Sequence, residues 1–356
     1  MLLKELFEFM PKSSHPASYG QKQGAFPFFT SSNTIDKYCY EADYNGEYLI
    51  VGDGGTGNCK YYNGKFSVSD HNYVLKPIEG TNCKLLQYFL MKDNYKILNE
   101  GFKGIGIKNV SKTYIQNIDF KKNNSYSDEY IVNSLIMIEK IIKKEQLQLD
   151  KLNELIKSRF NEMFGKDDGD TPLDSLCEIC RGASPRPIQN FITNDSRGIN
   201  WIKIGDVDPS AIYITKTGEK ITMEGASKSR IVHPGDFILS NSMSFGRPYI
   251  LGIDGCVHDG WLIVSKYQKH YRPLFLYYLL RSESVQNQFN KNAGGTTVKN
   301  LNSDLVKKTK VKLYPLEAQD RFVKFAEQID KLKFNVQKRI EKYKELLNKK
   351  MDEYFN

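Results

Sequence analysis

One stretch of this chain is written twice, and that repeat limits the folds open to it more than any other feature. Glu47-Tyr-Leu-Ile-Val-Gly-Asp-Gly-Gly-Thr-Gly57 lies over Asp236-Phe-Ile-Leu-Ser-Asn-Ser-Met-Ser-Phe-Gly246 without a gap. In the same register Ser69-Asp70-His71 meets His258-Asp259-Gly260, and Tyr88-Phe-Leu-Met-Lys92 meets Tyr277-Tyr-Leu-Leu-Arg281. After a shift of two, Gly104-Ile-Gly-Ile-Lys-Asn109 meets Gly295-Thr-Thr-Val-Lys-Asn300. A duplicated segment of this size predicts two copies of one unit.

Each copy ends in a predicted long helix. Ile131, Leu135, Ile138, Ile142, Leu149, Leu152, Ile156 and Met163 recur with the 4–3 alternation of a coiled-coil seam. The positions 191 residues on carry Phe322, Ala326, Ile329, Lys333, Ile340, Tyr343, Leu347 and Tyr354. Glu145 interrupts the first seam where Val336 stands in the second, and Lys333 interrupts the second where Ile142 stands in the first. Each helix runs for roughly 38 residues, about 57 Å at the helical rise. Its single apolar stripe needs a partner, and the other repeat is the nearest candidate.

The segments before the helices read as mixed α/β of the α+β kind. Phe26-Pro-Phe-Phe29, Tyr48-Leu-Ile-Val51, Tyr73-Val-Leu75, Trp201-Ile-Lys-Ile204, Phe237-Ile-Leu239 and Trp261-Leu-Ile-Val264 are short β-favouring runs. Lys84–Leu98 and Pro273–Asn290 are apolar at helical spacing. The predicted organisation is a first globular domain over 1–124, a long helix over 125–165, a second domain over 166–315 and a second helix over 316–356. The duplication makes the whole a pseudo-two-fold internal repeat, with the two long helices expected to pair.

The chain has 51 basic and 42 acidic residues among 356, a net charge of +9, which favours a polyanionic partner. No run approaches the roughly 18 apolar residues of a membrane span. The N-terminal residues are too few and too acidic for a secretory signal, so a cytoplasmic location without membrane contact is expected. Six cysteines without framework spacing suit reduced thiols. The one C-x-x-C, Cys177 and Cys180, lies in a strand-like alternation and is read as buried thiols, since a zinc site needs four ligands.

Motifs for chemistry are sparse. Gly52-Asp-Gly-Gly-Thr-Gly57 lacks the lysine of a phosphate-binding loop and reads as a tight turn. His258-Asp259 resembles a catalytic pair, but the other copy has Ser69-Asp70, so an aspartate ordering a turn is the better account. No catalytic residue and no metal site is expected. A two-headed protein scaffold, or a fragment of a DNA methyltransferase or nuclease, stays open as an alternative.

Several segments, in order, resemble the specificity subunits of type I restriction–modification systems. Gly198-Ile-Asn-Trp-Ile-Lys-Ile-Gly-Asp-Val207 is similar to their Gly-Ile-Pro-Trp-Val-Lys segment, and Asp236 to Pro248 to their strand–turn–strand. Cys256-Val-His-Asp-Gly-Trp261, Ala293-Gly-Gly-Thr-Thr-Val-Lys-Asn-Leu301 and Pro315-Leu-Glu-Ala-Gln319 follow as in that family. In the first half Phe28-Phe-Thr30 replaces the Trp-Ile-Lys run. The resemblance implies two target-recognition domains, each reading half of a bipartite, asymmetric double-stranded DNA target, with the long helices forming an antiparallel coiled coil as the spacer. It implies two modification subunits, which bind S-adenosylmethionine and methylate adenine, and two motor-nuclease restriction subunits using ATP and Mg. This chain itself would need no cofactor.

Arginine can read guanine and asparagine adenine, each worth about 1–3 kcal/mol of discrimination. The expected DNA contacts are Thr30, Ser31, Ser32 and Asn33 in the first half, and Arg181, Ser184, Arg186, Ser240, Asn241 and Arg247 in the second. Lys108 and Lys299 are expected on phosphate, and the Lys84–Leu98 and Pro273–Asn290 segments on protein partners.

Overall fold

The computed structural model describes residues 1–106, 108–165, 169–209, 211–241, 245–292 and 301–356. The chain divides into two compact units: Met1–Leu149 with Asn335–Asn356, and Asp150–Phe334. Both long helices are therefore shared, each giving one half to each unit.

Unit 1 contains β1 (Phe7–Phe9), β2 (Phe26–Phe29), β3 (Tyr38–Cys39), β4 (Tyr44–Gly52), β5 (Cys59–Val68) and β6 (Asn72–Pro77). They form one six-stranded sheet in the order β1-β6-β4-β5-β2-β3. Its strands are antiparallel except at β2–β5, where Phe28 and Phe29 run parallel to Ser67 and Val68. Tyr48 to Val51 in β4 are all buried, as a strand covered on both faces requires. The glycine run does make a turn, and Gly55 sits in it at φ +87°, which only glycine adopts at little cost.

Helix α1 (Cys83–Asn99) starts where the Asn82 side chain accepts the Leu85 N–H at 3.0 Å. It packs Leu85, Leu86, Phe89 and Leu90 into the core. The backbone leaves the helix at Lys92, and Asp93, Asn94 and Tyr95 all hold positive φ. The Lys84–Leu98 stretch is thus an interrupted helix, not a continuous one.

Unit 2 contains β7 (Glu178–Arg181), β8 (Ile192–Thr193), β9 (Ile199–Ile202), β10 (Tyr213–Ile214), β11 (Glu219–Ile221), β12 (Arg230–Val232), β13 (Phe237–Ser240), β14 (Pro248–Leu251), β15 (Gly255–Val257) and β16 (Trp261–Ser265). Two five-stranded sheets result, β7-β16-β13-β14-β10 and β8-β11-β9-β15-β12. Trp201 and Ile202 of β9 run parallel to Cys256 and Val257 of β15. Those partners lie 189 residues beyond Ser67 and Val68, so the pairing itself is duplicated. The same shift carries the long strand β5 onto β14 and β15 together. In unit 2 the corresponding stretch is interrupted at residues 252–254, and its two pieces lie in different sheets.

Within the C-x-x-C, Cys177 is buried but Cys180 is exposed. This corrects the expectation of two buried thiols. In β7 it is Ile179 that faces inward, so the pleat turns Glu178 and Cys180 outward.

The Pro273–Asn290 stretch is two helices, α3 (Pro273–Leu280) and α4 (Glu283–Asn292). The long helices are α2 (Asp128–Phe164, 37 residues) and α5 (Leu316–Phe355, 40 residues). In unit 1 they run antiparallel. Tyr126, just ahead of α2, donates its hydroxyl to Glu353 at 2.6 Å, while farther along α2 Glu145 accepts two hydrogen bonds from Arg339 at 2.8 and 3.1 Å. Here Ile131, Leu135, Ile138, Val336 and Ile340 are buried, and Ile142, Leu149, Tyr343 and Leu347 half-buried.

In unit 2 Phe160 of α2 meets Phe322 of α5 with ring centroids 5.2 Å apart. Ile156, Phe322, Ala326 and Ile329 are buried and Leu152 half-buried. The stripe then continues through Phe160 and Phe164, with Met163 only half-buried. A repeat of four replaces the 4–3 alternation because this last turn packs on the globular core, beside Phe275 and Tyr314, as well as on α5. Among the described residues no helix is long and apolar enough to cross a membrane.

Candidate nucleic-acid interface

At or just beyond the end of the first strand of each unit's sheet, a cation reaches the repeat-related carbonyl oxygen. In unit 1 Lys12 Nζ donates to the Asp70 carbonyl at 2.8 Å. In unit 2 Arg181 Nε donates to the Asp259 carbonyl at 2.7 Å. Asp70 and Asp259 are repeat-related positions.

In unit 2 this contact lines a cleft of about 1230 Å³. Arg181, Ser184, Arg186 and Asn241 all border it, so four of the expected contacts are brought together. Asp259 is their hub. Its Oδ1 accepts from Ser184 Oγ at 3.0 Å and its Oδ2 from Arg186 Nη2 at 2.8 Å. Asn241 Nδ2 reaches the Asp259 carbonyl at 3.3 Å. Partial burial alone would raise this carboxyl, but the hydrogen bonds from Ser184 and Arg186 and the charges of Arg186 and Arg181 outweigh it and hold it below the usual range. Asp259 therefore orders a turn, as its repeat partner suggested.

His258 lines the same cleft, and its Nδ1 accepts the Gly260 N–H at 2.7 Å. Burial lowers its basicity, against the pull of Asp259 and Asp206 and with help from Lys203. A neutral ring that is a backbone acceptor is a structural group here. Lys203 also lines the cleft, and its Nζ meets Glu219 at 2.6 Å. It closes the Trp-Ile-Lys run, a signal that could have marked it as a contact beforehand.

Two expected contacts lie elsewhere. Ser240 is fully buried, and its Oγ accepts the Arg247 N–H at 3.3 Å, so it braces the strand end and cannot touch a base. Arg247 is half-buried, donates to the Pro209 carbonyl at 2.9 Å and does not line the cleft.

In unit 1 Thr30, Ser31, Ser32 and Asn33 follow β2 at the place Lys203 holds after β9. Thr30 and Ser31 are half-buried, while Ser32 and Asn33 are exposed. Lys60, only 8% exposed, donates to the Thr30 carbonyl at 3.2 Å and to Asn58 Oδ1 at 3.0 Å. Asn58 Nδ2 donates to the Ser31 carbonyl at 2.9 Å. Burial pulls the Lys60 ammonium down to about 8, opposed by Cys59. Nothing in the local sequence marked Lys60, because a lysine in a strand normally faces water. Lys108 is exposed, and its carbonyl accepts the Gly55 N–H at 3.0 Å. Lys299 lies outside the described residues.

Duplicated α+β units, exposed cations at the rim of a cleft and a basic chain define the class: a two-unit nucleic-acid-recognition protein. The comparisons give its family. The type I restriction modification DNA specificity domain matches residues 1–155 and again 169–345. The chain belongs to that family and is a DNA-recognition subunit of the type I restriction–modification kind. A Haemophilus influenzae protein assigned as a type I restriction enzyme specificity subunit is 22% identical over 91% of this chain and 88% of its own length. The crystal structure of the Mycoplasma genitalium type I restriction–modification S subunit shares the fold at TM-score 0.54 and 12% identity, covering 100% of this chain and 95% of that one. A chain from a structure on complex assembly and conformational transition of the type I system aligns at TM-score 0.57 and 13% identity, over 99% and 96% of the two chains.

Proposed function

We propose that each unit reads one half of a bipartite, asymmetric sequence in double-stranded DNA, and that the chain itself carries out no chemistry. Unit 2 reads through the cleft around Asp259, with Arg181, Arg186, Asn241 and Lys203 at its rim. Unit 1 reads through the loop from Thr30 to Asn33, with Lys108 as a phosphate contact. The observation that carries this reading is the duplicated cation-on-carbonyl contact beside side-chain sets that differ between the units. A shared frame with unlike polar surfaces is what two different half-sites require. Positive charge supplies sequence-blind affinity, and side chains entering a groove supply the choice of base.

The chemistry is assigned to partners: two modification subunits that bind S-adenosylmethionine and methylate adenine, and two restriction subunits that use ATP and Mg. The setting is the cytoplasm, beside chromosomal DNA. The test is selection from a pool of randomised duplexes, at several salt concentrations, by this chain together with its modification subunits. Enrichment of one two-part sequence is expected. Binding without enrichment points to a scaffold, and uptake of S-adenosylmethionine by the chain alone restores an enzyme.

A further inference from the structure

Arg186 is 78% exposed, yet it is aimed. Its Nη2 is held at 2.8 Å by Asp259 Oδ2, and Asp259 is fixed in turn. The other carboxylate oxygen accepts from Ser184, whose Oγ accepts the Asp259 N–H at 3.2 Å, and the Asp259 carbonyl accepts from Arg181. Among the described residues the remaining Arg186 N–H groups have no partner. So exposed an ion pair adds next to nothing to stability, and the gain from holding the guanidinium still must lie elsewhere.

A guanidinium anchored at one edge presents a flat end, the second Nη2 hydrogen beside Nη1. That end matches the O6 and N7 acceptors of guanine. Fixing it beforehand removes ordering cost at binding. The neighbouring carboxylate also selects the target. A phosphate brought to Arg186 would meet the Asp259 charge, whereas the guanine edge is neutral. The two units differ here: the chain has no arginine before Arg159, so the sheet and loops of unit 1 have no such group.

We infer that Arg186, positioned by Asp259, reads a guanine in one half-site only. This rests on the DNA-reading function proposed above. The experiment uses the full chain with its modification subunits, selecting from randomised duplexes at two salt concentrations, with wild type, R186K and D259N. R186K keeps the positive charge and leaves the Ser184 and Arg181 bonds to Asp259 in place, but removes the planar fork. It should cut preference at one guanine position by about tenfold or more, leaving other positions and the salt slope unchanged. D259N should weaken the same position and steepen the salt dependence, because an unbalanced arginine becomes a phosphate contact. A steeper salt slope is not what simple loosening of the loop would give. If R186K leaves every position unchanged, or weakens all equally, the inference is overturned while DNA reading stands. If wild type enriches no sequence, the functional reading fails and takes this inference with it.

Discussion

Asn72 and Trp261 hold the same backbone oxygen in the two repeats by different chemistry. Asn72 Nδ2 donates to the Phe29 carbonyl at 3.2 Å, and Trp261 Nε1 donates to the Ile202 carbonyl at 3.1 Å. Both residues open the strand after their turn, both are buried, and both tie it to the end of the parallel strand. An amide does this in unit 1 with Ser69 beside it; an indole does it in unit 2 while filling an apolar core with Ile202 and Tyr249.

Removing the indole takes a hydrogen bond from the Ile202 carbonyl, whereas without Asn72 the Phe29 carbonyl still accepts the Ser69 N–H at 2.8 Å. Trp261→Phe keeps most of the ring and should still cost unit 2 about 1–3 kcal/mol. Asn72→Leu should cost unit 1 less, at most about 1 kcal/mol, because the Phe29 carbonyl keeps its Ser69 partner. Urea unfolding followed by a probe in each unit checks this, and a Trp261→Phe midpoint matching wild type would remove the hydrogen bond from the account.

The Glu145–Arg339 pair sits where the apolar seam of α2 is broken. Arg339 is 43% exposed and Glu145 16%. Glu145→Leu restores the seam and frees an arginine that can turn to water, so it should change unit 1 stability by less than about 1 kcal/mol. Arg339→Leu leaves a largely buried carboxylate without its cation and should cost more, about 1–3 kcal/mol. Equal effects from the two substitutions would contradict this asymmetry.

Lys60 gives unit 1 a stability that increases toward alkali. The unfolded chain keeps its lysine proton up to 10.5, while the folded one releases it near 8, so the unfolded state binds more protons between those values. Stability contributed by Lys60 therefore rises as pH climbs through that window. Cys59, pushed up to about 12 by burial, gives the opposite slope, so the measurement is the difference between wild type and Lys60→Met. A difference that stays flat from pH 8 to 10.5 would count against a desolvated ammonium.

His258 acts at the acid end in unit 2. Its folded pKa is lowered, so on acidification the unfolded chain takes up the proton first. The stability penalty grows as pH falls from about 6.5 through the folded value and is complete below it. His258→Asn keeps an acceptor for the Gly260 N–H and should flatten this part of the pH–stability curve. An unchanged curve would assign the acid sensitivity to another group.

Much of this was legible in the residues because duplication carries its own check. The register that set Ser69-Asp70-His71 over His258-Asp259-Gly260 also sets Asn72 over Trp261, and the hydrogen bonds follow it. The apolar stripe of α2 was readable down to Ile156, where a helix partner dictates the spacing, but not at Phe160 and Phe164, where the globular core does. Cys180 was misplaced because a four-residue strand has too few alternations to fix its phase. Ser240 was misjudged because a polar residue at a strand end looks the same in sequence whether it faces water or braces a turn. Lys60 was invisible because its acceptors, the Thr30 carbonyl and Asn58, come from backbone shape and not from a motif.

The Asp70 and Asp259 carbonyls have a consequence for how such a protein changes over generations. Each is fastened by a cation through main-chain oxygen, an atom that no substitution at the aspartate deletes. The frame of either reading head is thereby insulated from the side chain at the aspartate itself, while Lys12 and Arg181 are the side chains it depends on. At positions other than those two cations, new preferences for DNA can be sampled one residue at a time at little risk to folding, and the two heads are free to drift apart.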